Sequence, residues 1–202
     1  MNARKKRSKM KLLKYVLFHL TPNTRSKLVV KAYRNLISPT DKLLDVGCGS
    51  GRITAALMKN TQANFVGCDI LDYTTHDIPF KLMKKPDTLP FLDNTFNISL
   101  ITDVLHHLDY ATQEKIIREA LRVSPVILMF ETRPTKLGRL CDYLLSQCYI
   151  PPLKALFTFR DDNQWKELFR KMGMEYKIIK IQKPIFYPFE NMAFQLRLNK
   201  AR

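Results

Sequence analysis

An acid and three glycines occupy every second position from residue 45 to residue 51. Asp45 ends an apolar run, and Gly47, Gly49 and Gly51 follow it before apolar residues recur at helical spacing. Glycines allow backbone torsions and close approaches that a Cβ would block. A strand that turns through glycines into a helix places a ligand at the helix N-terminus, beyond the carboxyl end of the strand. The segment therefore predicts a cofactor-binding turn.

The spacing narrows the choice of ligand. A dinucleotide fingerprint needs its third glycine at position 52, where this chain has Arg52. The glycine-rich sequence that cradles a nucleoside triphosphate is also absent from the sequence. A carboxylate at Asp45 would repel a pyrophosphate, whereas it tolerates or favours the ammonium and sulfonium groups of S-adenosylmethionine. The turn thus favours S-adenosylmethionine over a dinucleotide.

A second acid supports the same ligand. Asp69 ends the short apolar segment 64–70, which is typical of a buried strand. It follows Gly47 at roughly the 20-residue separation expected between a glycine turn and a ribose-binding acid. A carboxylate there can accept hydrogen bonds from both ribose hydroxyls. An acid that only caps the next loop is the alternative interpretation.

Two stretches resemble a known enzyme family. The Asp-x-Gly-x-Gly-x-Gly run of residues 45–51 resembles motif I of the class I S-adenosylmethionine-dependent methyltransferases. Residues 89–108, which begin Leu-Pro-Phe and end Asp-Val-Leu-His-His-Leu, resemble a run of the broad group that includes the ubiquinone and menaquinone C-methyltransferases. The resemblance covers residues 41–131 well and the rest in outline. The sequence departs from the family pattern at Asn97 and Lys85, two positions where the family usually has Asp. The Asp that the family usually has at position 85 is the one near the adenine.

The resemblance implies an S-adenosylmethionine-dependent methyltransferase, with a set of cofactor-binding residues that includes Asp87 as a substitute for the Asp missing at position 85. His106 or His107 is a candidate base, because imidazole titrates near neutral pH, and either one is alternatively a structural residue beside the cofactor. Glu131 is a weaker candidate for contact with the substrate. The cofactor-binding set is Asp45, Gly47, Cys48, Gly49, Gly51, Asp69, Ile70, Asp87, Thr88, Leu89 and Asp103.

The methyl acceptor is less defined. The sequence lacks the Asn/Asp-Pro-Pro-Tyr/Phe motif of enzymes that methylate exocyclic amino groups, and it lacks the Pro-Cys nucleophile that attacks pyrimidine rings. Residues 133–162, which cover the substrate in this fold, are rich in Leu, Phe and Tyr, which suits an apolar or aromatic acceptor or simply a core. We expect O- or C-methylation of a small-molecule or lipid-like acceptor. An RNA methyltransferase and a catalytically silent partner subunit are the alternatives.

Charge is concentrated near the N-terminus. The net charge is +16, and the first 40 residues hold eleven of the 34 basic side chains and no acid. We predict a basic arm over residues 1–20, in which 10–20 forms either an amphipathic helix on an anionic membrane or a helix packed on the domain. Residues 4–34 are the candidate contact for a membrane surface or RNA. The four cysteines form neither a disulfide framework nor a metal-site spacing, so we expect a cytoplasmic location and predict no metal. Peripheral contact with a membrane surface is compatible with that location.

Residues 21–202 are predicted to form one domain with alternating strands and helices. The resemblance implies a Rossmann-like α/β fold, with a seven-stranded, mostly parallel sheet, an antiparallel last strand and helices on both faces. Little helical periodicity follows Asp69, so the connection there is predicted to be reduced. The predicted helices are 24–37, 51–60, 112–122, 136–149 and 162–171, and the predicted strands include 43–46, 64–70, 96–101, 126–130, 176–182 and 192–199.

Overall fold

The structure is a computed structural model that describes residues 21–149 and 156–199. The predicted basic arm at 1–20 lies outside the described residues. The helices are α1 (21–33), α2 (Arg52–Thr61), α3 (Tyr110–Val123), α4 (Lys136–Tyr149) and α5 (Asp162–Lys171), with short 3-10 turns at Arg34–Leu36 and Leu105–His107. The strands are β1 (Lys42–Val46), β2 (Asn64–Asp69), β3 (Phe80–Leu82), β4 (Ile98–Thr102), β5 (Val126–Thr132), β6 (Met174–Ile179) and β7 (Asn191–Leu198).

One sheet holds all seven strands in the order β3-β2-β1-β4-β5-β7-β6. The first five pair in parallel, and β7 is antiparallel to both β5 and β6. The predicted Rossmann-like fold class is confirmed. Strand β6 begins two residues earlier than predicted, because Gly173, with φ of 68°, turns the chain directly out of α5.

Both faces of the sheet are covered by helices. Along β1, Leu43 packs into one buried cluster and Leu44 into another, as expected when alternate side chains of a strand point to opposite faces. The cluster around Leu44 contains apolar side chains of α3 and α5, and the cluster around Leu43 contains those of α1, α2 and α4. The central parallel strands are buried on both faces. They therefore lack the alternating polar pattern of a sheet that has one exposed face.

The topology brings the carboxyl ends of three strands together. Strand β1 lies between β2 and β4, with Val46 opposite Cys68 on one side and Ile101 on the other. The residues that follow these strands therefore meet at one edge of the sheet, where ligands bind in open α/β sheets. As predicted, the connection 70–79 after β2 contains no helix. Within residues 21–149 and 156–199, no helix is both long and apolar enough to cross a membrane.

Candidate active site

The glycine turn after β1 depends on a close approach of two backbones. Gly47 has φ of 70°, and the amides of Gly47 and Cys48 both donate to the Cys68 carbonyl, at 2.7 and 3.1 Å. A Cβ on Gly47 would lie 2.5 Å from Cγ2 of Val104, so only glycine fits here without a shift. Gly51, the N-cap residue of α2, also has positive φ. The turn keeps the backbone tight against the loop that follows β4.

Asp69 closes the cofactor side of the site from β2. Its Oδ2 accepts the amide of Gly49 at 2.9 Å, and its Oδ1 accepts the amide of Ile70 at 2.7 Å. Burial raises the pKa of Asp69, although hydrogen bonds from backbone amides oppose that rise. The amide of Leu71 also donates to Oδ1, so the carboxylate is held in one orientation, and Oδ2, which accepts a single amide, can still accept a hydroxyl group.

Asp45 lies deeper in the same site. Its carboxylate is buried and accepts a 2.5 Å hydrogen bond from the Thr54 hydroxyl on α2. Burial raises the pKa of Asp45 to about 7, because the hydrogen bond from Thr54 only partly offsets the loss of hydration. A cationic group bound beside this acid would favour its ionised form.

A cavity of about 480 Å³ joins these groups to the loop after β4. This size falls within the range of about 300–1,000 Å³ that is usual for small-molecule sites. Of the predicted cofactor residues, Asp45, Gly47, Cys48, Gly49, Asp69, Ile70 and Asp103 line it. Gly51 shapes the turn and is absent from the lining. The other described lining residues are Arg25, Val46, Ile53, Tyr73, Met83, Pro86, Thr102, Val104, His107, Leu108, Asp109, Thr112, Ile116 and Leu156.

Residues 87–89, which the sequence predicts to contact the cofactor, are absent from the cavity lining. Asp87 is held 3.3 Å from the Lys115 ammonium, and its pKa is lowered by that hydrogen bond. Thr88 contacts Asp87, while Leu89 is buried in the core and donates its amide to Glu119. Met83 and Pro86 line this part of the cavity instead, because β3 ends at Leu82 and the chain then turns away.

An ion pair also lines the cavity. Asp103 follows β4 with φ of 52°, and its Oδ2 lies 3.0 Å from Nε of Arg25 on α1. The same Nε donates to the Tyr187 hydroxyl at 3.1 Å, and the guanidinium carbon is 4.7 Å from the centroid of the Phe189 ring. Burial disfavours the charge of Arg25, yet Asp103, Tyr187 and Asp142 together outweigh this effect and hold the pKa of Arg25 above its usual value.

Arg25 has unused binding capacity. Its Nη2 is buried and has no hydrogen-bond partner within the described parts of the chain. Sequence reasoning missed this role, since the only signal was one cation among many in a region assigned to membrane or RNA contact. Arg25 reaches the cavity because of its position on α1, the helix before β1, and only the folded chain shows that position relative to the cavity.

The two candidate histidines lie in different environments. His106 is 1% exposed, and its Nδ1 lies 2.6 Å from Oε2 of Glu131. Its Nε2 is 3.2 Å from Oδ2 of Asp142 on α4. Burial alone would lower the pKa of His106, but the two carboxylates raise it to about 10. The residue is absent from the cavity lining, so its geometry does not suit a base that contacts the acceptor.

His107 faces the cavity. Burial, together with the neighbouring charge of His106, lowers the pKa of His107 to about 3. The ring therefore remains neutral at physiological pH, with a lone pair available to accept a proton or hydrogen bond. Glu131 does not reach the cavity. Its Oε1 accepts the amides of Val104 and Leu105, which anchors the loop that carries both histidines.

A seven-stranded sheet of this order, with a glycine turn after β1 and an acid after β2, is the arrangement that the resemblance to the class I S-adenosylmethionine-dependent methyltransferases implies. Residues 44–124 match the family model of the methyltransferase domain. The predicted fold, family and cofactor are thereby confirmed. The glycine cradle, the oriented Asp69 and the buried acid at Asp45 fit S-adenosylmethionine.

Several solved structures have the same fold. The PH0226 protein from Pyrococcus horikoshii OT3 has a TM-score of 0.68 at 16% identity, with 88% of this chain and 91% of that chain covered. A SAM-dependent methyltransferase from Archaeoglobus fulgidus has a TM-score of 0.65 at 15% identity, with 93% and 99% covered. A SAM-dependent methyltransferase from Thermotoga maritima, described as a possible histamine N-methyltransferase, has a TM-score of 0.63 at 15% identity, with 91% and 94% covered. No curated protein matches the chain significantly.

Proposed function

We propose that this protein transfers a methyl group from S-adenosylmethionine to an oxygen or carbon atom of a small-molecule or lipid-like acceptor that carries an anionic group. The observation that carries the proposal is the buried guanidinium of Arg25, which lines the cavity with Nη2 unpaired among the described residues. A guanidinium recognises carboxylate and phosphate groups through paired hydrogen bonds.

The cofactor side supports the assignment of the methyl donor. Asp69 would hold the ribose hydroxyls, the turn at Gly47 and Gly49 would leave room for the amino-acid part, and Asp45 would attract its ammonium group. S-adenosylmethionine supplies an already activated methyl on its sulfonium sulfur. The protein's contribution is then to align donor and acceptor and to exclude water, a proximity effect worth up to several kcal/mol.

The acceptor side combines charge with apolar surface. Val104, Leu108 and Leu156 line the cavity near His107, so an apolar or aromatic body fits beside them. The negative charge of the acceptor would lie against Arg25. If the reacting atom carries a proton, the neutral imidazole of His107 is the cavity-lining group suited to accept it. With a pKa near 3, His107 is a weak base, which suits an acidic acceptor proton.

Label transfer tests the proposal. The protein would be incubated with S-adenosylmethionine labelled in its methyl group and with a small-molecule extract or purified RNA from the same cells. Labelled, anion-exchange-retained small molecules are expected. Arg25→Gln should raise the acceptor KM by roughly 10- to 100-fold, the equivalent of one charge-assisted hydrogen bond, with little change in cofactor Kd. Lys27→Gln, on the same helix but outside the cavity, is the matched control.

Three results would contradict this proposal. Label in RNA alone would favour the RNA methyltransferase, and cofactor binding without any labelled product would favour the silent partner subunit. An unchanged acceptor KM in Arg25→Gln would remove the argument for an anionic group.

An RNA acceptor is favoured by one observation. Lys27 and Lys31 of α1 and Arg34 of the 3-10 turn that follows it line a surface groove of about 370 Å³ together with Asn60 of α2. These cations and the arm 1–20 could follow phosphates, or contact an anionic membrane. Sedimentation with anionic vesicles and with RNA, before and after deletion of residues 1–20, separates the two partners.

A further inference from the structure

Three buried atoms that could bind a metal ion lie close together beside the cavity. They are Nε2 of His106, Nδ1 of His107 and Oδ2 of Asp142. The first and the third form a 3.2 Å ion pair with each other, and Nδ1 of His107 has no hydrogen-bond partner among residues 21–149 and 156–199. His106 and Asp142 are 1% and 5% exposed. Buried polar groups in folded proteins are nearly always satisfied, so the unpaired nitrogen of His107 beside this pair indicates a missing partner.

Their spacing suits a metal ion. A potential ligand atom of each residue lies within 4.8 Å of the other two, and Nε2 of His106 is 3.2 Å from Oδ2 of Asp142. Ligands about 2.0–2.1 Å from a tetrahedral zinc ion lie about 3.3 Å from one another. Small side-chain movements would therefore bring all three atoms into range. Two imidazoles and one carboxylate form a ligand set used for zinc and for non-haem iron, with further positions open.

Glu131 provides the support that such a site needs. Its Oε2 accepts from Nδ1 of His106 at 2.6 Å, which leaves Nε2 as the nitrogen that faces Asp142. Metal-bound histidines commonly donate their second ring nitrogen to a carboxylate in this way, which fixes the tautomer. Glu131 is itself fixed by the amides of Val104 and Leu105.

A second grouping of Asp103, His106 and Glu131 is less suited to a metal. Glu131 already accepts three hydrogen bonds there. Asp103 accepts from Thr132 through Oδ1 and pairs with Arg25 through Oδ2. The residues of this grouping are thus engaged by amides, a hydroxyl, an imidazole and a guanidinium, whereas Nδ1 of His107 in the first grouping has no partner among the described residues.

We propose that His106, His107 and Asp142 bind one divalent transition-metal ion of the zinc or iron type at the acceptor end of the cavity. Because His107 lines that cavity, an open coordination position could take an oxygen of the acceptor. Binding would release the proton from Nε2 of His106, since a ligating nitrogen must offer its lone pair. His107 would then serve as a ligand instead of a proton acceptor. The sequence predicted no metal because adjacent histidines and an aspartate 35 residues later do not form a recognisable metal-binding spacing.

Cobalt titration of the full chain, after treatment with a chelator, tests the site. We expect one Co²⁺ per chain, visible d–d absorbance and displacement of Co²⁺ by Zn²⁺. Asp142→Asn and His107→Gln should abolish the specific absorbance. Glu131→Gln should weaken Co²⁺ binding by about 10- to 100-fold, the usual effect of losing a carboxylate that orients a ligand. His76→Gln, a histidine outside the cluster, should bind Co²⁺ as the unchanged chain does.

Calorimetry on the same samples measures the binding of S-adenosylmethionine. A failure of the metal site can then be distinguished from a failure of the proposed function. Asp142→Asn should retain its Kd for S-adenosylmethionine, which shows that the variant is folded. Stoichiometric Co²⁺ binding that survives in both Asp142→Asn and His107→Gln would overturn the assignment, as would the absence of binding to the unchanged chain. In the latter case, the methyltransferase proposal would stand if S-adenosylmethionine still bound.

Discussion

The turn at Gly47 offers the sharpest test of how the cofactor site is built. Replacement by alanine incurs two costs. The first is the left-handed backbone at φ of 70°, which costs an L-residue about 1–2 kcal/mol. The second is steric, because the new Cβ would lie 2.5 and 3.0 Å from the two γ-carbons of Val104, and overpacking of this kind costs about 1–3 kcal/mol. We expect Gly47→Ala to lower the free energy of unfolding by about 2–5 kcal/mol.

Gly173 supplies the matched control. It has almost the same torsion, φ of 68°, but a Cβ there would meet nothing within 4 Å. Gly173→Ala should therefore show only the backbone cost, about 1–2 kcal/mol. Urea denaturation followed by circular dichroism measures both variants. The difference between them isolates the steric contribution from Val104.

A double-mutant cycle sharpens the test. Val104→Ala removes both γ-carbons, so the combination with Gly47→Ala should recover most of the steric cost, and the two substitutions should couple by about 1–3 kcal/mol. Calorimetry with S-adenosylmethionine should show weaker binding in Gly47→Ala and no change in Gly173→Ala. Equal destabilisation by the two glycine substitutions, or additive effects with Val104→Ala, would refute the steric argument.

Three further predictions concern the acids of the site. Asp69→Asn should weaken S-adenosylmethionine binding about 10- to 100-fold by calorimetry, as expected for loss of charge-assisted hydrogen bonds, and an equal effect of the exposed Asp72→Asn would count against the ribose role. Asp87→Ala should leave that Kd unchanged, because its carboxylate pairs with Lys115 outside the cavity, and a clear loss of affinity would restore the sequence-based assignment. Asp45 has a pKa raised from 3.8 to about 7, so its contribution favours folding below pH 4 and is lost as the pH rises through 7. Urea midpoints at pH 5 and 8 should therefore differ less in Asp45→Asn than in the unchanged chain, and an identical pH dependence would show that Asp45 is not buried as described.

The cofactor half of the site could be predicted because its signals are local. Gly47 and Asp69 follow directly from strands whose apolar runs are visible in the sequence, and parallel strands place their carboxyl ends at one edge. The assignment at 87–89 stays a prediction. After the short strand β3, Met83 and Pro86 line the cavity and Asp87 does not, and no pattern in the sequence fixes that connection.

The acceptor half could not be predicted because its residues are distant in the sequence. His106 was a reasonable candidate by residue type, but its two carboxylate neighbours come from β5 and α4. Only the folded chain shows that these neighbours bind the ring, while His107, one position later, faces the cavity. The centroids of the two rings lie 4.1 Å apart, yet one ring is enclosed by two carboxylates and the other lines the cavity, so adjacent residues of one type have different environments.

The division between the two halves follows the boundary of the family match. The glycine turn and Asp69 lie inside residues 44–124, whereas Arg25 precedes that segment and Glu131 and Asp142 follow it. The matched segment contains the predicted donor site, whose motifs can be recognised from sequence. The flanking helices α1 and α4 contribute Arg25, which lines the cavity, and Asp142, which contacts His106, and we expect these charges to help distinguish one acceptor from another. Substrate specificity in this protein is therefore best sought by substitutions in the flanking helices, where a change can alter the acceptor without weakening the cofactor site.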